Sequence, residues 1–174
     1  TMMNKVFEII EAKKIFNIPY NKLKILIHPK SYVHGIIKFT DGMIKIIAHE
    51  TDMKIPIFNT IYENHVIKTN DINIKKLNTL DFSKVNFKRF PLVKIISNLP
   101  HKNTLFETIV VSANDELVRL FLNNKIKFPE ISKILIKFLR NPELIKYKNI
   151  EPKKIENIKK LNEYVRFKIN HKCI

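Results

Sequence analysis

The chain has 174 residues, which is enough for one hydrophobic core or one core with a small helical annex, so more than two domains are not expected. Its formal net charge is +16, but the excess is nearly all Lys, spread along the whole chain with little Arg, so no dedicated nucleic-acid-binding surface is expected. The single cysteine, Cys173, excludes an intrachain disulfide, and no apolar run approaches the ~20 residues that span a bilayer.

Residues 1–17 are predicted to form a helix that is apolar around most of its circumference. Asn4, Glu8 and Glu11 recur at spacings of four and three and make one narrow polar stripe, and Lys5 lies three residues before Glu8. A helix buried on most sides normally excludes charge, so the stripe must face water, a ligand or a partner. The polar cluster begins where the chain begins, which favours a piece of a longer protein.

A β-hairpin is predicted to follow this helix. Residues 23–28 alternate as a short strand, and extended structure resumes at 32–39 after a His-Pro break. Asp41-Gly42 stands between 32–39 and 44–49, and an Asp-Gly pair favours a two-residue turn because such a turn needs positive φ angles. The sequence therefore predicts a hairpin of about 32–39 with 44–49.

A two-residue turn would place His34 opposite His49. Such a cross-strand pair could bind a metal ion or share a proton. More often a pair of this kind is only a polar rim, since two His without a carboxylate or thiolate make a weak metal site. The residues alone leave these alternatives open.

The second half of the chain is predicted to be helical. A short helix near 55–63 leads into residues 64–91, which show little periodicity and are interpreted as a connecting segment. Helical spacing then recurs in four segments: 92–99, 107–122, 130–139 and 152–169. The predicted fold class is α+β, with a small β-sheet that contains the Asp-Gly hairpin, followed by a C-terminal helical bundle.

Six motifs occur along the chain in a specific order. They are Thr1-Met-Met-Asn-Lys5 with Glu8-Ile-Ile-Glu-Ala12, Ile27-His-Pro-Lys-Ser31 with His34, Asp41-Gly42, Asp52-Met-Lys-Ile-Pro56, Arg89-Phe-Pro91, and Ser112-Ala-Asn114 with Glu116. In this order and spacing, over nearly its whole length, the chain resembles the C-terminal part of 1-deoxy-D-xylulose 5-phosphate reductoisomerases. These enzymes depend on NADPH and a divalent metal, and they make 2-C-methyl-D-erythritol 4-phosphate for isoprenoid biosynthesis.

The resemblance implies a set of site residues. Asn4 and Lys5 would hold the substrate phosphate, and Glu8 would bind Mg²⁺ or Mn²⁺. Amide and ammonium groups suit a phosphate, and a carboxylate suits these metals, so the chemistry agrees with the resemblance. His34 would be an active-site residue of unspecified role, and Met53 would pack near the substrate and the nicotinamide of the cofactor.

The chain also departs from the family pattern. Val6-Phe7 replaces the usual Gly-Leu, Thr51 stands where Pro is usual, and Asp115 lies within a region that is commonly Asn-Ala-Ala-Asn-Glu. His49 has no counterpart in the pattern. None of these departures removes a candidate ligand.

The resemblance further implies how the chain is organised. Residues 1–63 would be the C-terminal portion of the catalytic domain, 64–91 the connecting segment and 92–174 the C-terminal helical domain. An NADPH-binding domain and two further acidic metal ligands would lie upstream, and the only glycines, Gly35 and Gly42, cannot form a Gly-rich phosphate loop. By itself the chain is therefore expected not to turn over the sugar phosphate.

Two main descriptions of the protein follow from these observations, and a basic nucleic-acid-binding domain ranks third. It is expected to be part of a homodimeric reductoisomerase of the cytoplasm, or of a plastid-type organelle if a longer parent carries a targeting segment. The alternative is a naturally short, non-catalytic dimerisation or interaction protein derived from that family. No nucleic acid or membrane partner is expected.

Overall fold

The computed structural model describes residues 1–62, 65, 69 and 71–173 and has the predicted α+β fold class. The α-helices are α1 (Met3–Phe16), α2 (Lys54–Ile61), α3 (Ile74–Leu77), α4 (Phe106–Leu122), α5 (Phe128–Leu139), α6 (Pro142–Ile145) and α7 (Ile155–Cys173). The strands are β1 (Leu26–Ile27), β2 (Val33–Lys38), β3 (Ile44–Ala48) and β4 (Ser83–Lys84). Short 3-10 helices lie at Tyr20–Lys22, Pro91–Asn98 and Lys146–Asn149.

The chain divides into two compact units. The helical unit consists of Thr1–Ile25 and Asn86–Ile174, and the hairpin unit consists of Leu26–Val85. The first helix joins the C-terminal helices because its apolar side packs against the 3-10 helix Pro91–Asn98. These two units are defined by packing, whereas the predicted domains 1–63, 64–91 and 92–174 are consecutive segments of the chain. The predicted domain boundaries stay a prediction.

Helix α4 lies at the centre of the helical unit and contacts α5, α6 and α7. Its buried apolar residues include Ile109, Val110, Ala113, Leu117 and Leu120, which lie on one side of the helix. Glu107, Ser112, Asn114 and Glu116 of α4 are buried as well, so the helix is enclosed on its polar positions too, and a buried polar group of this kind needs a hydrogen-bonding partner. None of the described helices is both long enough and apolar enough to cross a membrane.

The helices predicted at 107–122 and 130–139 are confirmed, as α4 and α5. Residues 92–99 were expected to be α-helical, but Pro91–Asn98 form a 3-10 helix in which the Val93 N–H donates to the Phe90 carbonyl. The helix predicted at 152–169 begins later and runs from Ile155 to Cys173.

A buried carboxylate, Glu116, joins α7 to α4. Only 2% of Glu116 is exposed, and its Oε1 accepts hydrogen bonds from Arg119 and Asn170, while its Oε2 accepts one from Nη1 of Arg166 at 3.2 Å. The Arg119 hydrogen bond, supported by those from Asn170 and Arg166, holds the pKa of Glu116 below its ordinary value of 4.5 against the opposing effect of burial. Glu116 is therefore charged at neutral pH and binds α7 through ionic hydrogen bonds.

The hairpin of β2 and β3 forms as predicted, but with a different turn. Lys38 pairs with Ile44, the Phe39 N–H donates to the Met43 carbonyl, and the Gly42 N–H donates to the Phe39 carbonyl. The loop therefore has three residues, 40–42, rather than two, and its last residue, Gly42, has a φ of +92°. This is the three-residue hairpin loop in which a glycine with positive φ follows a turn.

The rest of the hairpin unit was predicted less completely. The strand expected at 23–28 is confined to β1, which pairs antiparallel with β4. Strand β4 and α3 lie within the predicted connecting segment, where no regular structure was expected. The helix predicted near 55–63 is α2, which ends at Ile61. Residues 63, 64, 66–68 and 70 lie outside the described residues.

Candidate active site

Helix α1 presents the predicted polar residues on its exposed side. Asn4, Lys5 and Glu8 are exposed, whereas Met3 and Val6 are buried in the core of the helical unit. The alternation follows from the helical repeat, which brings residues three and four apart to the same face. The predicted polar stripe is therefore accessible to a ligand.

Lys5 and Glu8 are paired with each other in this structure. Nζ of Lys5 donates to both carboxylate oxygens of Glu8, at 3.0 and 2.8 Å, and about half of each side chain is exposed. An ion pair with this exposure contributes little to stability, because water already solvates both charges. The two charges thus lie within one helical turn and remain open to exchange for other partners.

A buried polar cluster holds the C-terminal end of α1. Glu107, at the start of α4, is 3% exposed, and its carboxylate accepts a hydrogen bond from the Tyr20 hydroxyl at 2.6 Å. The ammonium groups of Lys13 and Lys14 lie 3.9 and 3.1 Å from the same carboxylate, and Lys13 also donates to Asn103. A charged group at this depth is tolerated because it is paired and hydrogen-bonded.

The environment of the cluster changes the acidity of Tyr20. Burial raises the pKa of the Tyr20 phenol far above its usual range, and the Glu107 carboxylate raises it further by accepting its hydrogen bond and repelling a phenolate. The sequence reasoning missed this cluster. The available signal was Lys13, which continues the buried positions of α1, together with Glu107 in an otherwise apolar stretch.

In the hairpin unit, the imidazole rings of His34 and His49 are stacked. Their centroids are 3.6 Å apart and their planes differ by 2°. The predicted proximity of the two residues is confirmed. Parallel stacked rings direct their nitrogens along parallel planes rather than toward a common point, so this arrangement is not a two-histidine metal site.

The other residue predicted in this unit, Met53, immediately precedes α2. Its side chain is 57% exposed. The carboxylate of Asp52 accepts a hydrogen bond from the Lys54 N–H at 2.9 Å, and this contact fixes the backbone on either side of Met53. Met53 therefore offers an accessible thioether at the start of α2.

The structure brings Asn4, Lys5 and Glu8 together on one helix of the helical unit, and it places His34 and Met53 in the hairpin unit. Among the described residues, no group of three or more His, Cys, Asp or Glu is arranged to hold a metal ion. Glu8 can thus contribute a carboxylate ligand, but it is not part of such a three-residue group in the described part of the chain.

Comparison with known proteins agrees with the motif order. A model of the DXP reductoisomerase C-terminal domain, where DXP is 1-deoxy-D-xylulose 5-phosphate, matches residues 49–168. A 1-deoxy-D-xylulose 5-phosphate reductoisomerase of Pelagibacter ubique is 57% identical to this chain over 172 residues. The chain belongs to the DXP reductoisomerase family. The alignment covers 98% of this chain and 44% of the relative, so the chain spans less than half the length of that reductoisomerase.

Solved reductoisomerase structures share the fold. The enzyme of Zymomonas mobilis in complex with NADPH is 29% identical, with a TM-score of 0.80 over 99% of this chain and 45% of that one. A reductoisomerase in complex with NADPH, fosmidomycin and magnesium is 25% identical, with a TM-score of 0.86 over 99% of this chain and 44% of that one. The α+β fold is therefore that of a known part of DXP reductoisomerases.

Proposed function

We propose that this chain supplies the phosphate-binding and metal-binding helix of an enzyme that converts 1-deoxy-D-xylulose 5-phosphate to 2-C-methyl-D-erythritol 4-phosphate in isoprenoid biosynthesis. The observation that carries the proposal is the 57% identity to a reductoisomerase over 98% of the chain. The exposed cluster of Asn4, Lys5 and Glu8 supports it, because these groups match the chemistry of a phosphate and a divalent cation.

On this proposal, each residue of α1 has a defined part. The Asn4 amide and the Lys5 ammonium donate hydrogen bonds to the substrate phosphate. Glu8 supplies one carboxylate ligand to Mg²⁺ or Mn²⁺, which polarises substrate oxygens when bound. The Lys5–Glu8 pair would open in the loaded site, because the Lys5 ammonium would turn to the phosphate and the Glu8 carboxylate would serve as a metal ligand. The remaining ligands would come from the part of the relatives that this chain does not cover.

The hairpin unit would contribute to the reacting end of the substrate. His34 is proposed to face the sugar, where an imidazole can donate or accept a hydrogen bond. Met53 is proposed to pack on the sugar and on the nicotinamide of NADPH, the hydride donor, through its exposed thioether. The rest of the NADPH site would also lie in the uncovered part of the relatives.

A homodimer is proposed as the working assembly. The hairpin exposes Ile36, Ile37, Ile44, Ile46 and Ile47, each between 40% and 61%, on a sheet of two strands. An exposed apolar surface of this kind is typical of an interaction site. The proposal is tested by measuring the molar mass of the 174-residue chain with light scattering after size-exclusion chromatography. A monomer at micromolar concentration would contradict it.

The function is tested with a chimera, defined as the Pelagibacter ubique reductoisomerase in which this chain replaces the 172 residues that it matches. NADPH oxidation is measured with 1-deoxy-D-xylulose 5-phosphate and Mg²⁺ or Mn²⁺. We expect metal-dependent turnover by the chimera and none by the chain alone. A folded chimera that binds NADPH but never consumes it with this substrate would contradict the proposal.

A further inference from the structure

The stacking of His34 on His49 has a specific cause in the backbone. Val33 pairs with Ala48 and Gly35 pairs with Ile47, so the pairing register shifts by one residue at His34. This is a β-bulge, and a bulge redirects the side chain at its position. The His49 N–H donates to the Tyr32 carbonyl at 3.2 Å, which continues the pairing beyond the bulge and places His49 beside His34.

His49 is itself held in place by its neighbours. Its Nδ1 hydrogen-bonds to the carbonyl oxygen of Glu50, and a carbonyl only accepts, so Nδ1 carries the hydrogen. The Glu50 carboxylate accepts a hydrogen bond from Nζ of Lys76 at 2.8 Å, and this Nζ lies 5.3 Å from the ring centroid of the buried Tyr32. The His49 ring is thus held by a hydrogen bond to the backbone of Glu50, a residue whose own side chain is paired with Lys76.

A fixed ring stacked at 3.6 Å restricts the ring opposite to it. The two imidazoles are parallel within 2°, so rotation of the His34 ring out of the stack would separate the two faces. An active-site side chain works best when packing and its supporting contacts lock its orientation before the substrate binds. The His49 ring has such a supporting contact in its hydrogen bond to the Glu50 carbonyl.

We propose that His49 is a positioning residue that holds the imidazole of His34 in one orientation toward the substrate. The inference rests on the proposed function of His34, and it adds a residue to which the family pattern gives no counterpart. His49 touches no substrate in this account, and its effect passes through the His34 ring.

The stack is tested in the full 174-residue chain by NMR of the histidine ring protons. Protons that lie over an aromatic face resonate upfield, so those of His34 are expected upfield of those of the exposed His101. His49→Ala should remove this upfield displacement, and His49→Phe, which keeps a ring, should preserve it. Unchanged His34 resonances in His49→Ala would overturn the proposal, and the Phe variant separates loss of the stack from loss of the hairpin fold.

The consequence for turnover is tested in the chimera. His49→Ala should lower kcat about 3- to 10-fold, as expected for one aromatic contact, and should leave KM for the sugar phosphate within about twofold. His49→Phe should recover most of kcat, and His101→Ala is the control. An unchanged kcat in His49→Ala, while His34→Ala is impaired, would overturn the positioning role. If His34→Ala is also fully active, the proposed function of His34 fails instead, and the positioning role fails with it.

Discussion

The hydroxyl of Tyr20 donates a 2.6 Å hydrogen bond to the carboxylate of Glu107, 87 residues further along the chain. The bond connects the turn after α1 to the first turn of α4, and Lys13 and Lys14 complete the cluster from α1. The helix that carries the proposed phosphate and metal ligands is thereby attached at its far end to the most buried helix of the unit.

Tyr20→Phe is expected to lower the free energy of unfolding by about 1–3 kcal/mol, because it removes a hydrogen bond to a buried charged group. Urea unfolding followed by circular dichroism measures the change at pH 7. Tyr62→Phe is the matched control, since Tyr62 is 49% exposed. Equal stability of the two variants would show that the Tyr20 hydrogen bond contributes nothing.

The raised pKa of Tyr20 also predicts that the stability of the folded chain depends on pH in the alkaline range. The pKa of Tyr20 is raised in the folded chain above its ordinary value of 10.0, so the folded chain keeps a proton that the unfolded chain releases. The stabilisation is fully present below pH 10 and is lost as pH rises above it, by up to about 1.4 kcal/mol per pH unit. The stability of Tyr20→Phe should fall less steeply above pH 10 than that of the wild type, and parallel curves would contradict this.

The lowered pKa of Glu116 predicts that stability is lost as pH falls, in the acid range. Its pKa is lowered in the folded chain, chiefly by the Arg119 hydrogen bond, so its contribution is present above about pH 4.5 and is lost as pH falls below that value. Glu116→Gln should cost about 1–3 kcal/mol at pH 7 and less at pH 3, because the contribution of the charged carboxylate decreases as pH falls below 4.5. Glu163→Gln, at an exposed position of α7, is the control. If Glu116→Gln lowered the free energy of unfolding by the same amount at pH 7 and at pH 3, the predicted link between stability and the Glu116 charge would be contradicted.

The two glycines predict different effects on the hairpin. Gly42 has a φ of +92°, and a Cβ there meets nothing within 4 Å, so Gly42→Ala should cost about 1–2 kcal/mol through backbone strain alone. At Gly35 a Cβ would lie 3.6 Å from Cδ1 of Ile47, an ordinary contact, so Gly35→Ala should have a smaller effect. Amide hydrogen exchange across β2 and β3 measures both variants. Equal exchange rates in the two would contradict the three-residue loop.

Lys5→Ala in the chimera is expected to act mainly on substrate binding. Loss of one charge-assisted hydrogen bond to the phosphate should raise KM about 10- to 100-fold, with a smaller change in kcat. Lys22→Ala, which removes an exposed lysine of the same unit, should leave KM unchanged. A normal KM for Lys5→Ala would remove Lys5 from the phosphate site.

Local patterns predicted the long helices α4 and α5 well because helical periodicity and the burial of one face arise from the same repeat. The stripe of Leu117 and Leu120 on α4 is an example, since both residues are fully buried. The pairing of β1 with β4 could not be predicted in this way. Leu26 and Lys84 are far apart in sequence, and two-residue strands carry no periodicity of their own.

The candidate site shows the same contrast. The polar stripe of α1 lies on the exposed side, as predicted from spacing alone. His34 and His49 do meet, but through a three-residue loop and a bulge at His34 rather than through the predicted two-residue turn. Asp41-Gly42 is compatible with both a two-residue turn and a three-residue loop that ends in glycine, so the motif alone did not decide the register, and the bulge at His34 has no sequence signal of its own. The Tyr20–Glu107 cluster depends on long-range packing and was not predicted.

The central claim is that α1 carries a metal-binding carboxylate at Glu8. The most direct measurement is NADPH oxidation by the chimera as a function of Mn²⁺ concentration, compared between Glu8→Gln and the control Glu163→Gln. We predict that Glu8→Gln loses metal-dependent turnover by about 100-fold or more, because the neutral amide is a poor ligand for a hard cation. Glu163→Gln should match the unsubstituted chimera. Wild-type turnover and an unchanged Mn²⁺ dependence in Glu8→Gln would contradict the claim.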